Sequence, residues 1–312
     1  MRRVLVTGGA GMIGRRVAVQ LVSAGDVVQV VDDLSSGLPM PGSVEGIVAD
    51  IRDGDRLAGV FREFRPHAVV HLAALHHIPT CEKERVRCLD VNVSGTENVL
   101  SAAEQSGVER VVLASSGAVY GWAEGALGED VSAIDAADNY GLTKLCNERQ
   151  LRFWCERTGG SGRVARIFNT IAHDDPNAHL IPDVLAQLQG GGDGITTVRL
   201  GNLAPRRDYV HADDVATGLR ALLDDHRQDV AFDVFNLCSG VEHSVEAMVG
   251  LVARIMDCRI RVETSAERRR RVDRPSQLGD PGKASAILGW RVTLDLAAAL
   301  RRLIEARAAL AA

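Results

Sequence analysis

Val4-Leu5-Val6 is a short apolar run that breaks into glycines, and Arg15 to Ala24 then carries apolar residues at helical spacing, with Val17, Leu21 and Val22 expected to face inward. Gly25 closes that helix, and Val27 to Val31 is a second fully apolar run with Asp32 at its end. The alternation continues. Residues 46–49, Ala68 to Leu72, Val108 to Ala114, Arg163 to Ile167 and Phe232 to Leu237 read as strands, and Val91 to Gln105 and Tyr140 to Glu156 as helices. Strands that are apolar at every position need cover on both faces, so the pattern predicts an α/β fold built on a doubly wound parallel sheet. After Asn169 the pattern loosens. Asp174 to Pro182 and Gln189 to Asp193 read as loops, and the rest mixes helices with Arg-rich stretches. The expected organisation is a first unit over residues 1–168 that carries this sheet and a smaller lobe over 169–312, with 208–237 folding back onto the first unit.

The 312 residues suffice for such a core plus a lobe, and 46 % apolar with 25 % charged residues is ordinary globular usage, which excludes disorder and a disulfide scaffold. A net charge of -5 argues against a nucleic-acid partner. No apolar run reaches the roughly 18 residues a membrane helix needs, and the N-terminus enters a strand at once instead of a signal peptide. No membrane partner and a cytoplasmic location are the corresponding expectations. Six cysteines (Cys81, Cys88, Cys146, Cys155, Cys238, Cys258) form no C-x-x-C pair, so buried free thiols are expected and no metal site. Of 36 Lys and Arg residues only Lys83, Lys144 and Lys283 are lysine, which hints that a compact, tunable ammonium is needed where one is kept.

The glycines of Thr7 to Gly14 include Gly9-x-Gly11-x-x-Gly14 between a strand and a helix, and an acid, Asp32, follows at the end of the next strand. Glycines permit the tight turn and let backbone amides approach a pyrophosphate, whose charge suits a helix N-terminus. Asp32 is placed to accept from ribose hydroxyls and to repel a 2′-phosphate, and Asp33 adds to that, so NAD is the expected cofactor. Arg15 and Arg16 could pair with a phosphate, but the plainer reading is a solvated helix face. Asp50 follows the third strand as an adenine contact or a helix cap.

Tyr140 and Lys144 stand four apart on one helical face. A phenol with pKa about 10 is a poor base at neutral pH, and a nearby ammonium together with a positive nicotinamide would favour its phenolate. Ser116 follows the fourth apolar strand at a carboxyl end, where open α/β sheets bind ligands, and is the candidate partner for the reacting oxygen.

These motifs, with His71 to Ala74, Asn92, Gly95-Thr96, Arg166 to Asn169, Arg207 to His211 and Leu288 to Trp290, resemble the extended short-chain dehydrogenase/reductase family, in its NAD-dependent nucleotide-sugar epimerase/dehydratase branch, over nearly the whole chain. The resemblance implies Tyr140 as catalytic base, Lys144 as ribose ligand and pKa modulator, and Ser116 as the orienting hydroxyl. It implies cofactor contacts from Gly8, Gly11, Met12, Ile13, Gly14, Asp32, Asp33, Ser35, Asp50, Ile51, Leu72, Ala73, Ala74 and Asn92. Asn169 and Leu180 would hold the nucleotide sugar, with Arg207 and Arg274 on its phosphates, a task that suits guanidinium forks. His76, His77 and Thr80 occupy a loop that reaches the sugar in relatives; a packed or exposed pair without a role is the alternative for the two histidines. Thr170 to His173 replaces the usual glycine-and-proline turn, Gln277 stands where related epimerases carry Asp, and Arg268 to Arg271 reads as a solvated charge run.

In dehydratase, decarboxylase and 3,5-epimerase branches an acid or thiol stands between the Ser and the Val of this motif. Here Gly117 and Ala118 stand there, and neither moves a proton. The expected activity is therefore 4-epimerisation of a UDP- or dTDP-linked hexose or hexuronic acid. The alternatives are reduction of a nucleotide-linked 4-keto sugar, 4,6-dehydration with Glu124 or Asp138 as displaced catalysts, and, in a different class, a non-catalytic NAD-binding protein. The resemblance also implies a homodimer through the helices at Val91 to Gln105 and Tyr140 to Glu156, where Leu145, Leu151, Phe153 and Trp154 add apolar surface.

Overall fold

The apolar runs become the strands of one parallel sheet. The computed structural model describes residues 1–36, 38–42, 44–177, 179–189, 194–269 and 273–311, without the side chains of 310 and 311. In chain order the elements are β1 (Arg3–Thr7), α1 (Gly14–Ser23), β2 (Val27–Asp32), β3 (Glu45–Val48), α2 (Gly54–Phe64), β4 (Ala68–His71), α3 (Ile78–Lys83), α4 (Arg85–Leu89), α5 (Gly95–Gln105), β5 (Arg110–Ser116), β6 (Ala126–Leu127) and α6 (Asn139–Thr158). There follow β7 (Ser161–Ile167), β8 (Asn169–Ile171), α7 (Leu180–Leu188), β9 (Ile195–Leu200), β10 (Arg206–His211), α8 (Ala212–Leu223), β11 (Phe232–Leu237), β12 (Glu242–Ser244), α9 (Val245–Ile255), β13 (Arg259–Thr264), β14 (Ser276–Gly279), α10 (Gly282–Leu288) and α11 (Leu296–Ala311).

The first sheet has the order β11-β7-β5-β4-β1-β2-β3, parallel throughout. Alternate side chains divide between its faces. Val4, Val6, Val30, Val70 and Val112 pack with α1 and α8, while Leu5, Val31, Val69, Val111 and Leu113 pack with α2, α5 and α6. In the second sheet β10 lies between antiparallel β12 and parallel β14, and it also pairs with β8. The lobe's core joins α7, α9, α11 and β9. The chain thus leaves the first sheet at β8, touches it again through α8 and β11, and sends β10 to the second.

Several expectations change. Val22 is exposed and Ala18 buried in its place, because Val22 lies 100° past Leu21 around the helix. The stretch expected as loop to Pro182 already forms α7 from Leu180; a proline in the first turn forfeits no helical bond. Residues 190–193 lie outside the described set. The helix expected from Val91 opens as a π-turn over Asp90–Ser94, with α5 proper from Gly95. Leu151 and Trp154 are fully buried and Leu145 packs against the cluster that includes Val119 and Tyr120, because α6 is covered by the sheet and by its neighbouring helices; of the apolar surface expected there only Phe153 is exposed, and Leu142, near the start of the helix, is exposed as well. Arg15 and Arg16 are not a solvated face. Arg16 donates to Asp213 at 2.8 Å and Asp174 at 3.0 Å, and Arg15 donates to the Pro39 carbonyl at 2.8 Å, tying α1 to the lobe and to the loop after β2. All six thiols are free; four are buried, whereas Cys146 and Cys258 are half-buried. Among the described residues no helix is long and apolar enough to cross a membrane.

Arg163, fully buried on β7, donates to Asp225 at 2.6 Å beyond the end of α8. Arg227 and Arg163 hold the Asp225 carboxyl well below the usual range against the cost of its burial. Removing Arg163 takes one of two guanidinium partners from the buried Asp225 and leaves a void at a fully buried position, so Arg163→Ala should lower the unfolding free energy by about 3 kcal/mol in a urea titration at neutral pH. A depressed folded pKa contributes stability above the unfolded value and loses it on acidification, so the deficit should shrink below about pH 4.

Candidate active site

The turn between β1 and α1 fits no side chain at its critical points. Gly8 has φ +70°, and a Cβ on it would stand 2.5 Å from the Ala73 amide nitrogen; one on Gly14 would stand 2.1 Å from the Gly8 carbonyl oxygen. Gly9 instead presses on Val30 and does not border the cleft, so the cradle glycines are Gly8, Gly11 and Gly14. The N-terminus of α1 has no side-chain cap and no acid in its first turn, which leaves its amides available to a pyrophosphate. Asp32, buried at the end of β2, accepts from Ala10 N at 3.0 Å and Leu34 N at 2.8 Å, yet burial raises its pKa. Asp33 accepts from Ser35 at 2.6 Å. Asp50 does not cap α2. It binds Arg52 at 2.6 Å, and Asp53 is the cap, because Asp53 reaches the Arg56 amide. These residues, with Met12, Ile13, Ile51, Leu72, Ala73 and Ala74, line a cavity of about 420 Å³ that also holds Ser116, Tyr140 and Lys144. Asn92 lies behind the wall. From the π-turn its carbonyl accepts from Leu75 N at 2.7 Å and its amide donates to Thr143 at 2.9 Å, pinning the β4–α3 loop to α6.

Asp138 caps α6 by accepting from Gly141 N at 2.7 Å, and Gly141 is small because a Cβ would lie 2.7 Å from the Ala118 carbonyl. This seats Tyr140 near Ser116, whose hydroxyl accepts from Ala118 N at 3.2 Å and works against the rise in the Tyr140 pKa. Lys144, buried, donates to the Ala114 carbonyl at 2.9 Å, with its nitrogen 5.8 Å from the centre of the Tyr140 ring. Burial raises Tyr140, and Lys144 spends its proton on a carbonyl and is itself pushed down to about 8 by burial. One turn on, Glu148 accepts from Arg166 at 2.8 and 2.9 Å and from Ser115 at 2.5 Å, and its charge opposes the loss of the Lys144 proton.

Asn169, Arg207, Arg274, His76, His77 and Gln277 border the same cavity, while Leu180 borders a second, of about 400 Å³, in the lobe. Arg207 pairs with Asp273 at 3.2 Å and donates to the Arg274 carbonyl at 2.7 Å; Arg274 donates to the carbonyls of Gly117 and Tyr120. Burial and the neighbouring Arg207 charge lower the Arg274 pKa. Arg268 is paired with Asp183 at 2.8 Å instead of merely solvated, and Arg270 and Arg271 lie outside the described residues. His76 and His77 are gathered with His179, which the sequence reading missed. His179 sits in a stretch without periodicity, so only tertiary contact reveals it. Trp122, half exposed at the rim, was missed for the same reason. Glu124 is exposed outside both cavities; Asp138 borders the first. Among the described residues no group of three ligating side chains could hold a metal ion.

Fold and cleft together define a dinucleotide-binding Rossmann protein of the short-chain dehydrogenase/reductase class. The chain belongs to the NAD dependent epimerase/dehydratase family, which it matches over residues 4–238, and NAD is its cofactor. It is 29 % identical to a UDP-glucose 4-epimerase of Halalkalibacterium halodurans, covering 92 % of this chain and 90 % of that protein. It is 28 % identical to a GDP-6-deoxy-D-mannose reductase of Pseudomonas aeruginosa, covering 97 % and 96 %. The crystal structure of the Thermus thermophilus UDP-glucose 4-epimerase complex with NAD superposes with a TM-score of 0.84 at 28 % identity, over 97 % of this chain and 98 % of that one.

Glu148→Gln removes the charge that favours the protonated Lys144, so its pKa should fall below about 8. NAD affinity should then drop about threefold or more at pH 8 and stay near wild type at pH 6, as measured by calorimetry.

Proposed function

We propose that this protein is an NAD-dependent 4-epimerase of a nucleotide-diphosphate sugar, a UDP- or dTDP-linked hexose or hexuronic acid. One observation carries the reading: positions 117 and 118, between Ser116 and Val119, hold no acid or base, and position 117 is closely packed. A Cβ on Gly117 would lie 2.9 Å from the Gln277 amide nitrogen and 3.2 Å from the Phe168 ring, and Ala118 is inert. Chemistry at a single carbon follows. When bound, NAD accepts a hydride from C4 and returns it. Tyr140 takes and returns the C4 hydroxyl proton, Ser116 orients that oxygen, and Lys144 holds the cofactor ribose. Arg207 and Arg274 grip the diphosphate with Asn169, while Leu180 borders the nucleotide. The 4-keto sugar turns over between the two transfers. The division into a cofactor unit (1–168 with 208–237) and a substrate lobe is part of the same proposal. So are a homodimer, for which Phe153 and Leu142 offer exposed apolar side chains, and a cytoplasmic location, which suits six unbridged thiols.

The reductase relative supports a second reading, in which the same residues reduce a 4-keto sugar and release oxidised cofactor. Product analysis by NMR with UDP- and dTDP-sugars, NAD and no reductant separates the two. An equilibrium mixture of C4 epimers is expected, falling about 10³-fold in Tyr140→Phe. NADH oxidation seen only with a 4-keto sugar would establish the reductase. Because burial raises the Tyr140 pKa, kcat/KM should climb from about pH 6 as its base form grows and level off near pH 8, where the Lys144 ammonium begins to be lost.

A further inference from the structure

His76 and His77 come from the β4–α3 loop and His179 from the segment before α7, about a hundred residues away, yet the His179 ring centre lies 6.2 Å from His76 and 5.8 Å from His77. Each ring is held by a fixed partner. His179 Nδ1 is 2.7 Å from the buried Asp175 carboxylate, the Asn177 amide is 3.0 Å from His76 Nε2, and Thr80 is 2.8 Å from His77 Nδ1. His76 Nδ1 and His179 Nε2 have no hydrogen-bond partner among the described residues. His77 and His179 border both cavities, as do Asn169 and Arg207, so the cluster stands where the chamber of Ser116 and Tyr140 meets that of the lobe.

The charges around this junction point one way. The carboxylates that border the lobe cavity are each matched: Asp175 by His179, Asp183 by Arg268 and Asp273 by Arg207. Asp138, on the other side, is engaged at the N-terminus of α6. An anionic group entering here therefore meets imidazoles, Lys144 and the arginines without an unmatched carboxylate opposing it. Three imidazoles gathered on one wall of the cleft offer ring nitrogens to both oxygens of a carboxylate, whereas a sugar hydroxyl occupies only one.

We infer that His76, His77 and His179 form a carboxylate subsite that selects a hexuronic acid over a neutral hexose. This rests on the reading of the cleft as a nucleotide-sugar site. His179, Lys144 and His77 lower the His76 pKa and Asp175 opposes them, so the neutral ring is favoured in the free protein. A bound carboxylate favours the imidazolium, so binding takes up a proton and affinity for the acidic sugar falls as pH rises.

The test is calorimetry on the full-length, NAD-loaded protein with UDP-glucuronic acid and UDP-glucose, and with the dTDP pair. The uronic acid should bind about tenfold tighter at pH 6, with an advantage several times smaller at pH 8. Proton uptake, read from buffers of different ionisation enthalpy, should accompany the uronic acid alone. His179→Asn and, separately, His76→Asn should each cut the preference to about twofold or less. Equal dissociation constants for the two sugars, binding of neither nucleotide series, or a preference intact in both variants would overturn the proposal. Preference without epimer formation would instead sink the epimerase reading and leave this one standing, and epimer formation without preference would do the reverse.

Discussion

The approach of three backbone segments at the head of β1 governs everything built above it. Gly8 runs against Ala73 beyond the end of β4, and Gly14 starts α1 against the Gly8 carbonyl, with no space for a Cβ at either place. Only that approach brings the uncapped N-terminus of α1 to the carboxyl edge of the sheet, next to Asp32 and the loop after β4. Any side chain there would lift the helix off the sheet. The amides that suit a pyrophosphate and the wall that carries His76 and His77 would then separate.

On the other flank the constraint is electrostatic. Lys144 keeps an ammonium in the core by giving its proton to the Ala114 carbonyl, and Glu148 compensates part of the cost while clamping Arg166 and Ser115. One helix turn therefore bonds to β5 and β7 where they end, beside the Ser116 hydroxyl and the segment leading to Asn169. Such a buried network stabilises little by itself but penalises any shift of α6, which is what a phenol poised against a hydroxyl needs. The same burial raises the Tyr140 pKa and favours the protonated phenol.

The substrate side is assembled differently. Residues far apart in the chain converge from β8, β10, the approach to β14 and the segment before α7, and they hold one another by side-chain bonds such as Arg207 with Asp273. Arg15 and Arg16, reaching from α1 to Pro39, Asp174 and Asp213, connect the cofactor cradle to that assembly. A substrate filling the cleft would therefore touch both structural units at once.

How much of this the chain announces follows from the range of each interaction. Continuous apolar strands, the glycine turn with its following acid, and the four-residue spacing of Tyr140 and Lys144 are local patterns. The backbone turns them into sheet, cradle and helix face with little help from elsewhere, and so the sheet class, the glycine turn and the shared helix face of Tyr140 and Lys144 were legible. The side chosen by Val22, the burial of Leu151 and Trp154, the pairing of Arg15, Arg16 and Arg268, and the cap at Asp53 instead of Asp50 depend on which neighbour arrives, which periodicity does not encode. Burial raises the Tyr140 pKa because desolvation sums over the whole environment, while spacing names only one charge. His179 reached His76 and His77 only because an aperiodic segment folds back across about a hundred residues, and a contact of that range is decided by tertiary packing.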